Sequence, residues 1–278
     1  MIRAQARIAR RLGVFASCQS GREMKDNTAR LSSRLKEALH LAWEPVGVKF
    51  WSAPAPEPRE GFERMTGIRY CQGLMLARRG KAVRVGPQDL SCPAAASAFG
   101  FRPLPEGLAS GQGLVGFGIA REAAIGKTMF EGMTRIEQGW LGAMELAPLG
   151  AFEELPDVVV VEDQVERLMW ILLANVNRGG GARVPADTAV LQATCVDSTL
   201  VPFLDQRINF SFGCYGCREA TDIEQGEAVV GFPGEVLPAL AEEVERLAGR
   251  AIPRSRAKQP YAALTGKEER RPGPLTGQ

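Results

Sequence analysis

The segment Asp157-Val158-Val159-Val160-Val161 constrains the fold more than any other in this chain. Four consecutive valines between turn residues form a fully apolar, β-branched run. Such a run reads as a strand buried in the interior of a sheet. A helical pattern follows directly, over Gln164–Asn177, and three glycines, Gly179-Gly180-Gly181, close it. Glu162-Asp163 lies between the two, where acids are expected to cap the coming helix.

The rest of the chain repeats this alternation. Asp26-Asn27-Thr28 can cap a helix carrying Leu31, Leu35, Leu39 and Ala42, which Pro45 stops. Further strands are expected at Val46–Trp51, Ala82–Val85, Leu114–Ile119, Val190–Thr194, Ile208–Phe212 and Ala228–Phe232. Further helices are expected at Arg69–Arg79, from Pro93 within Cys92–Phe99, at Thr128–Gln138, and at Glu235–Leu247 with its Val236, Leu240, Val244 and Leu247 stripe. The three prolines of Ser52–Glu60 make that stretch a loop. The expected fold class is mixed α/β.

The two halves, about 28–150 and 151–252, can be laid on one another as strand, helix, glycine, strand and cysteine. Cys92 and Cys195 then fall at matching places, as a pseudo-twofold internal repeat would put them. Residues 1–23 hold Arg3, Arg7, Arg10, Arg11 and Arg22 against the single acid Glu23, and are expected to lie outside the fold with Met24 as the start. Residues 253–278 are polar and prolyl, and are expected to be a flexible tail.

A net charge of +2 argues against nucleic acid or an anionic membrane as partner. The longest apolar run, around Leu168–Ala174, is far shorter than the ~18 residues that span a bilayer. The expected location is the cytoplasm. In that reducing compartment cysteines serve as metal ligands, reactive thiols or buried apolar groups more often than as disulfides.

Cysteines are also where chemistry can reside. The chain has one histidine, His40, and no Ser/His/Asp set gathers around it. Five cysteines lie in the body: Cys71, Cys92, Cys195, Cys214 and Cys217. Gly213-Cys214-Tyr215-Gly216-Cys217-Arg218 is the sharpest motif. A C-x₂-C turn aims two thiolates to one side, and Gly216 permits the turn. Arg218 could lower a thiol pKa or hold an anion, and it is expected to face the thiols from a cavity.

Four readings compete. An iron–sulfur cluster uses about four thiolates in a partly apolar pocket, with four sulfurs within roughly 7 Å. Structural zinc uses as many in a tetrahedral cage. A redox pair uses Cys214 and Cys217 alone, with a partner protein to exchange electrons. The fourth possibility is inert, buried cysteines. No catalytic residue is assigned. Gly111-x-Gly113-x-x-Gly116 lacks the strand–turn–helix context of a dinucleotide site, and Gly126-Lys127-Thr128 lacks the P-loop's first glycine.

The order Pro45-Val-Gly-Val-Lys-Phe50, Arg69-Tyr-Cys71-Gln, Ala77-Arg-Arg-Gly80, Ser-Cys92, Pro156-Asp-Val-Val159, Phe-Gly-Cys214-Tyr-Gly-Cys-Arg218 and Gly231-Phe-Pro233 resembles the bacterial and archaeal family DUF169. The resemblance runs from about Thr28 to Leu247. It implies cysteines at Cys71, Cys92, Cys195 and Cys214 and arginine at Arg218, with Cys217 outside the regular pattern. It implies no activity. The functional expectation is a cysteine-ligated metal protein, iron–sulfur first, in a redox or cofactor-maturation role. The alternatives are a thiol–disulfide enzyme and a non-catalytic zinc protein or metallochaperone.

Overall fold

The computed structural model describes residues 21–251. The expectations for residues 1–20 and 252–278 lie outside it. Valines 158–161 sit in β5 (Val158–Gln164), inside a seven-stranded sheet of order β2-β3-β4-β1-β5-β7-β6. The other strands are β1 (Val46–Ser52), β2 (Glu63–Arg64), β3 (Val83–Val85), β4 (Leu141–Pro148), β6 (Asn209–Ser211) and β7 (Glu227–Pro233). Only β2 and β3 pair in parallel; the other neighbours are antiparallel.

Both faces of the sheet are covered, which is why β5 has no polar residue until Glu162. Val158 and Val160 join one core with Val46, Val48, Phe50 and Val229. Val159 and Val161 join the other with Val230 and Phe232. The second core is roofed by α1 (Gly21–Leu39), α7 (Val165–Arg178) and α10 (Leu237–Arg250), each with an apolar stripe at helical spacing. His40, left-handed and exposed, ends α1.

The first core is roofed by α2 (Tyr70–Arg78), α3 (Pro93–Ala98) and a π-helix, Ala193–Leu200, that continues as α8 (Val201–Asp205). Short helices α4 (Glu106–Ala109), α5 (Gln112–Gly116) and α6 (Ala123–Glu131) extend this layer, and α9 (Tyr215–Ala220) joins β6 to β7.

Several expectations fail for identifiable reasons. Leu114–Ile119 is no strand. Gly111 is left-handed, and a Cβ there would collide with the Ala123 carbonyl. The glycines serve the close approach of α5 and α6. The helix expected over Thr128–Gln138 runs instead from Ala123 to Glu131. Val190–Thr194 turns through left-handed Val190 and Gln192 into the π-helix. Glu162-Asp163 extends β5 instead of capping α7, although Asp163 still accepts from Gln164 N and Arg167 Nη1 at 2.7 and 2.8 Å. Central β4 is absent from the sequence reading altogether.

The strand order β3-β4-β1-β5-β7-β6 is symmetric about the β1–β5 pair. The helices expected to match are not. An axis relating antiparallel neighbours stands normal to the sheet and keeps matched helices on one face, whereas α2 and α7 pack on opposite faces. Cys92 precedes a short α-helix and Cys195 lies within the π-helix, so the expected match between them is also lost.

The π-helix rests on β7 at Gly231, where a Cβ would overlap the Ser198 carbonyl oxygen. Gly231→Ala is therefore expected to push the π-helix off the sheet. We expect a loss of about 2 kcal/mol in denaturant unfolding, together with faster alkylation of Cys195.

Candidate thiol site

The roof over the first core draws the five cysteines toward one region from four segments of the chain. Cys71 is the second residue of α2 and is buried. Cys92 immediately precedes α3 and is half-exposed. Cys195 is buried in the π-helix, its thiol donating to Gln192 O at 3.5 Å. Cys214 caps α9 by accepting from Cys217 N at 3.1 Å. Cys217, one turn on, is the hub, and it is 2% exposed. Its Sγ lies 2.8 Å from Cys214 Sγ and 3.0 Å from Thr194 Oγ1, and its thiol also bonds to Cys71. Cys195 feels the charges of Cys92, Cys214 and Cys217. The set thus has a buried layer, Cys71, Cys195 and Cys217, and a half-exposed layer, Cys92 and Cys214.

Every resolved shift opposes ionisation. Burial first, and then the neighbouring cysteines, push Cys195 well above the usual thiol range. The Cys217 bond and then burial raise Cys214. For Cys217 the Cys214 bond pulls downward, but the bond to Cys71 and burial outweigh it and leave it at about 12. With no cation among them, these thiols hold their protons.

Tyr70 O–H lies 2.8 Å from Thr199 Oγ1, which donates to Thr194 O at 2.6 Å. This buried chain fixes the π-helix against α2. Arg69 Nη1 donates to Gly216 O at 3.1 Å and Gln72 Nε2 to Ala220 O at 3.0 Å, tying α9 alongside α2. Sequence reasoning gave these three residues no role. Their place in the Arg69-Tyr-Cys71-Gln motif was the available signal.

Arg218 stands differently from expectation. Its side chain is exposed. Its guanidinium donates to the carbonyls of Phe212, Glu224 (3.3 Å) and Glu227 (2.8 Å), clamping the β6–α9–β7 connection. The arginine that reaches the cysteine loop from across the site is Arg69.

Among the described residues, no group of three or more His, Cys, Asp or Glu side chains is arranged to hold a metal ion. Two thiolates on one tetrahedral zinc stand about 3.8 Å apart, so the Cys214–Cys217 contact of 2.8 Å would open on binding one. Nor is any helix among the described residues long and apolar enough to cross a membrane.

No curated protein and no solved structure matches this chain. The model of the family DUF169, described as an uncharacterised ArCR family, matches residues 34–243, which include all five cysteines and both arginines at the site. The chain belongs to the DUF169 family.

Proposed function

We propose that the five cysteines form a thiolate centre that binds metal, with an iron–sulfur cluster as the first candidate, in a redox or cofactor-maturation role. One observation carries the reading. Thiols from four segments of the chain lie in one region, with Cys214 and Cys217 in contact. Cys195, Cys214 and Cys217 resist ionisation, so a cation that neutralises their thiolates as they form would favour that step.

The donor set suits a cluster in number and surroundings. About four thiolates in a partly apolar pocket are needed, and Cys195 is itself part of the hydrophobic core with Leu200, Val201 and Phe99. A bound cluster would supply one-electron chemistry. The protein's own part is to hold the ligands, exclude water through the buried layer, and leave Cys92 and Cys214 toward solvent, where metal, cluster or electrons from a partner protein would arrive. Zinc, bound structurally or in transit, is the alternative occupant. The reading fits the cytoplasm, which keeps thiols reduced.

The contact of 2.8 Å between Cys214 and Cys217 favours a second reading, thiol–disulfide exchange. Attack by one thiolate on a partner's disulfide releases one partner thiol, and closure of the Cys214–Cys217 bond releases the other. Two electrons and the two protons of the cysteine thiols pass to the partner, which ends as a dithiol.

Anaerobic titration of the reduced protein with Co²⁺ separates the two. Metal binding predicts thiolate-to-metal absorption and protection of four or five body cysteines from alkylation. Exchange predicts no such absorption, and a loss of two hydrogens by mass when a disulfide oxidant is added.

A further inference from the structure

A cavity of about 210 Å³ lies where the C-terminal end of α7, the start of β6 and the end of β7 come together. Part of its lining is apolar, through Ile208 and Val236, which pack on the second core. Three arginines, Arg178, Arg183 and Arg207, line it as well, and no acid is among the described residues that do so.

The local sequence explains how these cations meet. Arg178 is the last residue of α7. Gly180 and Gly181, both left-handed, turn the chain sharply after it and bring Arg183 to the same cavity. Arg207 comes from the short link between α8 and β6.

Their charges are not equally answered. Arg207 Nη2 bonds the Asp187 carboxylate and Asp205 Oδ2, the latter at 3.5 Å, and its Nη1 bonds Asn209 Oδ1 at 3.4 Å. Arg178 reaches only the neutral Asn175 Oδ1, at 3.5 Å. The Arg183 guanidinium makes no hydrogen bond or ion pair with any described residue. Two cations facing one cavity repel each other, and an anion placed between them removes that repulsion.

Gln206, also in the lining, adds an independent signal. It closes α8 in the left-handed conformation, φ 56°, where glycine or asparagine is usual. Its amide nitrogen donates to Phe203 O, which can only accept, and this fixes which amide atom is the oxygen. That oxygen, Oε1, is buried and has no hydrogen-bond partner. It is unfavourable there until a donor reaches it.

We propose that this cavity binds a small organic oxyanion, a carboxylate or a phosphate ester, between Arg178 and Arg183, with Gln206 Oε1 accepting a hydrogen bond from a hydroxyl or amino group of the same molecule. The planar guanidinium fork matches the oxygens of either anion. Ile208 and Val236 suit the carbon part of the ligand. No cysteine is among the lining residues, so the site does not depend on the metal reading of the thiols.

Isothermal titration of the full reduced chain at constant ionic strength tests this. The probes are glycerol 3-phosphate and glycerate, each against its counterpart without a hydroxyl, inorganic phosphate or acetate, with glycerol as the neutral control. Saturable binding of one hydroxylated anion per chain is expected, and the tighter of the two assigns phosphate or carboxylate. Glycerol is expected not to bind. Arg178→Ala and Arg183→Ala, both at exposed positions, are each expected to weaken binding by roughly tenfold or more. Gln206→Gly, which relieves the left-handed strain, is expected to keep the fold and to erase the advantage of the hydroxylated probe over its counterpart. No saturable binding of either anion, equal binding of glycerol, or full-strength binding in both alanine variants overturns the oxyanion site. An unchanged preference in Gln206→Gly overturns the contact assigned to Oε1.

Discussion

If the cysteines hold a metal as proposed, Cys217→Ser is expected to weaken its binding by roughly 10²–10³-fold, the share of one ligand in the 10–16 kcal/mol that four-ligand thiolate sites supply. Cys217 is the position where a serine substitutes worst. Its sulfur meets Cys214, Cys71 and Thr194 at once, and it is the least exposed of the five. A hydroxyl on a shorter bond cannot reach all three partners, and it does not ionise near neutral pH. The variant should still fold, since Thr194 Oγ1 can bond a hydroxyl as well as a thiol. Competition titration with Co²⁺, run beside thermal unfolding, measures both effects. Half-exposed Cys92 has no sulfur contact this short, so Cys92→Ser is expected to cost less. Equal affinity in the Cys217 variant and the wild type would remove Cys217 from the ligand set.

The second large effect is on stability against pH. Glu162 is held at about 8 in the fold against 4.5 in the unfolded chain. The folded state therefore binds the proton more tightly. The stability this contributes is complete below pH 4.5, falls as pH rises from there, and is gone above pH 8. The whole change is about 5 kcal/mol at most. Asp197, raised by burial to about 7, loses stability in the same direction. Glu227 opposes them. Its carboxyl is held below the usual range, since the Glu224 N–H, Trp43 and Arg78 together overcome its burial, and the stability it adds is lost on acidification. Urea unfolding from pH 5 to 9 should show a falling midpoint in the wild type. In Glu162→Gln, which cannot ionise, the fall should be much shallower, with the variant the more stable protein at pH 9. A variant that follows the wild-type curve at every pH would mean that Glu162 ionises normally in the fold.

The sequence reading succeeded where local pattern and tertiary role agree. β5 is legible because four valines can be buried on both faces, and α7 and α10 because one stripe of each is apolar. β4 was illegible because Leu-Gly-Ala-Met-Glu-Leu-Ala-Pro contains no β-branched residue and suits a helix equally well. Its Glu145 looks like a surface acid. It is buried because Arg84 Nη1 and Arg59 Nε, both remote in sequence, bond it at 2.7 and 2.8 Å. The π-helix was illegible for a similar reason. It depends on Gly231 admitting Ser198, and on Asn209 Nδ2 holding Asp197 O at 2.9 Å.

At the site, the scarcity of other reactive groups singles out the five cysteines; in the structure Cys214 and Cys217 touch, and Cys71 and Cys195 act on them electrostatically. Arg218 misled because its place after Cys217 suggested a partner for thiolates, whereas the loop's carbonyl groups occupy its guanidinium. The neighbouring α7 makes Glu162 look like a helix cap in the sequence. The period-2 alternation from Val158 already places it on the core side, and that was the signal to follow.

Iron, zinc and acid-labile sulfide analysis of the protein purified without oxygen tests the central claim most directly. The thiolate-centre account predicts bound metal, with iron and sulfide in near-equal amounts and broad absorption near about 400 nm for a cluster. Zinc at one ion per chain would keep the centre and change its occupant. Protein that carries no metal, takes up none on anaerobic reconstitution, and leaves all five body cysteines open to alkylation when denatured but not protected by any added metal when folded, would contradict it.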